Sequence, residues 1–254
     1  MTKLLTVCPC LGRGMMVSEP PPSDSMPARA EVAGDRGRDR LYRFIRAGAW
    51  AAIVSGLAVA VSLLLEWLVV PYERLGTEAY LTGWYLLSAG LRLLSGVLLV
   101  WAVIGLYQRQ SRVAGTFGLW AFVVAFFGSV LQACESWGET FVCPTMAQVA
   151  PNVISGEATE APKFLFTGNA LSNFSFFLGW LLFGASTIFS ARVYPRWAGV
   201  LLIVAIPVTA FLSPTPGSFQ ESIGQILFGI ALAALGFYAL KTAPSNASSS
   251  PRRA

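Results

Sequence analysis

Six apolar runs, with basic residues in every second connection, leave this chain little choice of fold. The runs cover residues 47–70, 80–107, 113–134, 166–191, 197–212 and 219–240. A helix needs roughly 20 apolar residues to cross the hydrocarbon core of a bilayer, and five of the six reach that length. The fifth has 16 residues and carries Pro207, so a kinked span and a re-entrant piece both fit it. It reads as a span, because Pro195 suits the first turn of a helix and the charges around it require a crossing. Only 12% of residues are charged and 55% are hydrophobic, whereas soluble domains carry about 25% charge. The expected class is all-α: a polytopic transmembrane bundle of six helices with both termini inside.

The orientation follows from where the cations fall. With the N-terminus inside, the inner segments hold Arg43 and Arg46, Arg109 and Arg112, Arg192 and Arg196, then Lys241, Arg252 and Arg253. None of these segments contains an acid after Leu41. The outer connections hold Arg74 and Lys163 beside Glu73, Glu78, Glu139, Glu157 and Glu160. Inverting the chain would reverse the positive-inside bias at every loop. Trp67, Trp84 and Trp137 fall near the outer boundary and Trp50 and Trp197 near the inner one, as an aromatic belt does. Trp101, Trp120 and Trp180 lie deeper and read as packing residues.

The ends divide from this core. Residues 1–40, with Pro20, Pro21, Pro22 and a charge-alternating run from Gly34 to Arg40, read as a disordered cytoplasmic tail, and residues 242–254 read likewise. The apolar stretch after Lys3 is too short for a cleaved signal, and Met15, Met16 and Met26 are alternative starts. The net charge is +5, but the basic residues sit in short segments beside and between the apolar runs, where they read as orientation signals, so nucleic acid is not expected as a partner. The bilayer itself is the expected partner. With no histidine, no metal site or cofactor is expected. Cys8 and Cys10 flank Pro9 without further ligands. Cys134 and Cys143, on the outer side, could equally be bridged or free, since spacing does not establish disulfide geometry.

Arg92 is the most informative residue. It sits near the middle of the second run, where an arginine costs about 2.5–3.5 kcal/mol even on insertion scales. Side chains lean toward the N-terminus of their own helix, so Arg92 leans outward and Glu66, one turn from the outer end of the first run, leans inward. A pair between them is expected. Gln132 and Glu135, Asn169 and Asn173, and Glu221 and Gln225 lie at similar outer depths, the last two pairs each on one helix face. Polar groups therefore collect in the outer half, while the inner half offers little beyond Ser and Thr. Two readings stand: ties between helices, worth about 0.6–2 kcal/mol each, or an outward-facing pocket for a small anionic, amphiphilic or lipid ligand. The connection 135–163 reads as a long outer loop able to cap such a pocket.

Arg112-Val-Ala-Gly115 and Arg196-Trp-Ala-Gly199 occupy corresponding inner turns 84 residues apart, as a parallel repeat would place them, although any two basic turns resemble each other. Gly56 with Ala60 and Gly229 with Ala233 have the spacing of close helix contacts. The turn from Arg192 to Gly199, followed by Gly224-Gln-Ile-Leu-Phe-Gly229 at the head of the last run, resembles uncharacterised bacterial six-helix membrane proteins. That resemblance implies a bundle over residues 43–241 in a bacterial cell membrane and no catalytic residues. A transporter or channel and an accessory subunit without ligand are the competing classes. An enzyme lacks a visible constellation of reactive groups.

Overall fold

The computed structural model describes the backbone of residues 26–70, 72–155, 163–211 and 219–242, and the side chains of these except 26–39, 73, 163–166, 210–211 and 219–221. Contacts divide the chain between Asp39 and Arg40, and the packing below belongs to the second unit. Every regular element among the described residues is helical. The longer ones are α1 (Met26–Val69), α3 (Gly83–Trp137), α6 (Lys163–Ser186), α7 (Arg196–Phe211) and α8 (Phe219–Lys241), with α2 (Tyr72–Leu75), α4 (Cys143–Val149) and α5 (Pro151–Ile154) as short connectors. Four helical stretches are long and apolar enough to cross a membrane: Arg40–Val69, Gly83–Val149, Thr167–Ala191 and Ser222–Lys241. Arg196–Thr209 is apolar but shorter.

The apolar runs 80–107 and 113–134 both fall in α3. Gly115, at φ 60° and ψ −162°, breaks helical geometry between them, so α3 is two limbs, 83–114 and 116–137. Only glycine occupies that region readily. At the other end of the chain's first crossing, α1 starts at Met26, well ahead of the first apolar run. Residues 26–39, which read as part of a disordered tail, belong to α1, although Pro27, Gly34 and Gly37 are poor helix formers.

Within the long loop expected at 135–163, residues 135–149 and 151–154 are helical instead, and 156–162 lie outside the described residues. The second limb of α3 passes through a π-helical turn, Gly138–Val142, into α4. Pro144 follows the π-helical turn directly at the start of α4; within this continuous run it lacks an N–H to donate, and the local change of helix geometry lies just ahead of it. This continuity also decides the cysteines. Cys134 and Cys143 are free, because nine residues of helix separate them by about 13 Å along the axis, beyond the roughly 7 Å a disulfide can span.

Without a hydrophobic drive between lipid-exposed helices, packing rests on close approach of small residues. The apolar part of α1 runs antiparallel to the first limb of α3. Ser55 and Ser95 each donate to the other's carbonyl (2.9 and 3.0 Å), and so do Ser62 and Ser88 (2.9 and 3.0 Å). One heptad further in, a Cβ on Gly48 would lie 2.5 Å from the Gly105 Cα. Gly48, Ser55 and Ser62 are thus one stripe at seven-residue spacing. A second stripe on α1 meets α8, where a Cβ on Gly56 would lie 2.2 Å from the Gly229 carbonyl oxygen. The centre of the bundle is filled by Leu106, Trp180, Phe183, Leu202, Leu232 and Leu235, all fully buried. Trp180 satisfies its indole N–H on the Ser129 hydroxyl at 3.2 Å.

Trp101 and Trp120, read from sequence as packing residues, instead face outward. Their depth in the bilayer carries no demand for burial within the protein, since lipid tails solvate an indole as readily as leucine does. Their exposed position matches that of Trp50, Trp67, Trp84, Trp137 and Trp197.

Candidate functional site

The half of the bundle expected to face outward gathers its polar residues around Arg92. Arg92 projects from the first limb of α3 and is ion-paired with Glu66 of α1. Its Nη1 also donates to the Glu139 carboxylate at 2.9 Å. The three side chains are between one fifth and one third exposed. The Glu66 partner is the one that the opposed lean of the two helices predicts. The Glu139 partner is not: in the sequence it belongs to a loop. The π-helical turn carries it inward, held by Thr140, which donates to the Ala89 carbonyl at 3.1 Å, and by Tyr85, whose hydroxyl donates to the Glu139 carbonyl at 2.9 Å. Single π turns within α-helices occur frequently at functional sites.

A tyrosine cluster closes the outer end. Tyr72 donates to Glu66 Oε1 at 2.8 Å. Its ring meets Tyr80 edge-on (centroids 5.8 Å apart), and Tyr80 meets Tyr85 in the same way at 4.9 Å, the geometry that aromatic quadrupoles favour. Tyr72 and Tyr80, which lie between the spanning segments, have their phenol pKa values raised, chiefly by burial. Tyr72 is therefore a neutral donor to Glu66 throughout the ordinary pH range.

Beside this lies a second polar set. Asn173 of α6 donates to Glu135 Oε1 at 3.3 Å and to Asn169 Oδ1 at 2.6 Å. Asn169 and Asn173 share a face, as their spacing predicts, and Asn173 reaches across to α3. Between the two sets is a cavity of about 90 Å³ whose walls include Arg92, Gln132, Asn173 and Gln225, with Ser95, Ser136 and Thr209. Apolar walls come from Val59, Leu99, Phe176, Phe177, Ile206 and Phe228. Four of the eight residues expected to form a pocket thus line one cavity. Glu66, Glu135 and Asn169 stand one step behind it, bonded to lining residues. The Glu221 side chain lies outside the described residues.

Among the described residues three carboxyl groups, Glu66, Glu135 and Glu139, surround one guanidinium. Arg92 Nε is buried and has no hydrogen-bond partner among the described residues, and the same holds for Glu135 Oε2. No group of three or more His, Cys, Asp or Glu residues placed to hold a metal ion occurs among the described residues.

One buried polar residue escapes any reading of the sequence by depth. Gln110 is fully buried near the inner end of the first limb of α3, and neither of its amide atoms has a partner among the described residues. It follows the apolar run ending at Tyr107 and so looks like a connector residue; the limb continues to the break at Gly115 and carries it inside. Between Gln110 and the outer cavity lies the apolar layer of Val103, Leu106, Trp180, Phe183 and Leu202.

No known protein family, no curated protein and no solved structure matches this chain. The resemblance to bacterial six-helix proteins therefore rests on the quoted turns alone, and the site must be judged on its own geometry.

Proposed function

We propose that the chain is a six-span bacterial cell-membrane protein, both termini cytoplasmic, whose outer cavity binds the polar head of a small amphiphilic ligand. The observation that carries this is the convergence of Arg92, Gln132, Asn173 and Gln225 from three helices on one cavity with an aromatic and aliphatic opposite wall. Helix ties alone need pairs of polar groups; they do not need a shared void beside them. The bend at Gly115 supports counting α3 as two crossings, and the basic connectors support the orientation.

The charge balance refines the ligand. Arg92 by itself would favour a carboxylate or phosphate, but its Nη groups are already engaged by two glutamates. A further anion would face an excess of carboxylate. A hydroxyl, amide or amine head group suits these walls better. The cavity is well below the roughly 300–1,000 Å³ of drug-sized ligand sites, so it admits a head group and leaves a longer tail to the apolar wall. Thermal-shift measurements on detergent-purified protein with a panel of short-chain amphiphiles test this. Amine- or hydroxyl-headed members should raise the melting temperature of wild type and lose the effect in Gln132→Met. Equal shifts in both proteins, or stabilisation by fatty acids alone, would overturn it.

A transporter is the second reading, and Gln110 is the observation that favours it, as a buried polar group on the inner side. The apolar layer between Gln110 and the cavity leaves no continuous polar path in this conformation, which is why binding is preferred.

A further inference from the structure

A second concavity lies between α1 and α8 and, unlike the polar cavity, is almost wholly apolar. It has a volume of about 480 Å³ and is walled by Gly56, Leu57 and Ala60 of α1, residues Gly229 to Tyr238 of α8, and Trp197 at the head of α7. Its walls carry no charged side chain. Gly56 and Gly229 form its floor, because their backbones touch and leave no side chain to fill the space. Leu57, Ile230 and Phe237 stand exposed along its rims.

Two features give this groove a direction. From Gly229 to Tyr238 it runs about 14 Å along α8, close to half of the roughly 30 Å hydrocarbon core, which is one leaflet. Its inner end is marked by Trp197 and Tyr238, whose rings meet at 6.3 Å, as amphipathic aromatics do at the interface. Just beyond that end sit three exposed cations. Arg46 precedes Leu57 by eleven residues, three helical turns, and so lies on the groove's face of α1. Lys241 follows Ile230 by the same interval on α8, and Arg196 adjoins Trp197. None of the three forms an ion pair among the described residues, and no acidic residue lies in α7, in α1 between Arg40 and Glu66, or in α8 after Glu221. By contrast Arg109, at the same level, is engaged with the Ala239 carbonyl at 2.8 Å and with Thr242.

We infer that this groove is a binding site for one anionic phospholipid of the inner leaflet. An acyl chain lies in the groove over Gly56 and Gly229, and the phosphate-bearing head group sits among Arg46, Arg196 and Lys241. An apolar trough one leaflet deep, ending in a basic cluster without an ion-pair partner among the described residues, matches that molecule at both ends. The inference rests on the membrane reading and the orientation, and is independent of the outer cavity.

Native mass spectrometry of the full chain in detergent, titrated with phosphatidylglycerol or phosphatidylcholine, tests it. Wild type should retain one phosphatidylglycerol with at least about tenfold preference over phosphatidylcholine, the preference expected from a few basic side chains near a head group. The surface variant R46Q/R196Q/K241Q, which disturbs no packing, should lose that preference. Ala234→Trp, which fills the groove, should lose retention of both lipids while keeping the wild-type thermal melt. Equal retention of the two lipids by wild type would overturn the inference, as would an unchanged preference in the triple variant. A dimer that Ala234→Trp dissociates would assign the groove to a second copy and overturn it as well.

Discussion

Arg92 and Glu139 lie 47 residues apart in the chain, yet Arg92 Nη1 donates to Glu139 Oε2 at 2.9 Å while the same guanidinium holds Glu66. One cation thus fastens α1, the first limb of α3 and the π-helical turn before α4. Its removal leaves two carboxylates facing each other in a largely buried place. Breaking a buried pair from one side costs about 3–5 kcal/mol; with these side chains partly exposed, we expect Arg92→Gln to cost about 2–4 kcal/mol. Glu139→Gln should cost less than about 1 kcal/mol, because Glu66 still neutralises Arg92. Denaturant unfolding in detergent gives both values, and equal losses would show that Glu139 is as necessary as Arg92.

Gly115 makes a separate prediction, because a Cβ there would meet no atom within 4 Å. Any effect of Gly115→Ala therefore comes from the backbone alone. At φ 60° and ψ −162° the cost should be about 1–3 kcal/mol, read as a lowered melting temperature. An unchanged melt would mean that the two limbs of α3 do not meet at this angle.

The serine seam should respond differently from the glycine seam. Ser55→Ala removes one arm of a reciprocal pair and should cost about 0.6–2 kcal/mol. Gly56→Val must push apart two backbones already in contact and should abolish folding of the bundle. Expression level and size-exclusion profile separate the two outcomes.

The tyrosine cluster predicts a pH dependence. Below about pH 10 the phenols are neutral in both folded and unfolded chains and contribute no slope. Above it the unfolded chain releases their protons while the folded protein, with the phenol pKa values of Tyr72 and Tyr80 raised, retains them. Stability should then fall with rising pH. Thermal melts from pH 7 to 11 should be flat and then decline, and the decline should be shallower in Tyr80→Phe.

Much of this arrangement was legible in the residues. Hydropathy and a lone mid-run arginine mark the helices and the centre of the polar region, and the lean of side chains along antiparallel helices points Arg92 at Glu66. Glu139 was not legible, because its position depends on helix continuing through Gly138 as a π turn, and no local residue pattern requires that. The same continuity separates Cys134 from Cys143. The heptad Gly48, Ser55, Ser62 was present in the sequence as a signal, but small residues recur so often in apolar runs that only contact with Gly105, Ser95 and Ser88 distinguishes it. Gln110 hid because the inner end of its helix is set by a glycine five residues later and not by the end of the apolar run.

The claim that the outer cavity holds a ligand, and is more than a by-product of helix ties, is tested most directly by what travels with the protein out of the membrane. Native mass spectrometry of the gently extracted full chain should show a bound mass of amine- or hydroxyl-headed amphiphile. Gln132→Met, which leaves Arg92, Glu66 and Glu139 in place, should lose it with an unchanged melt. A wild-type protein carrying no such mass, alongside a large loss of stability in Arg92→Gln, would contradict the account and leave Arg92 as a structural tie.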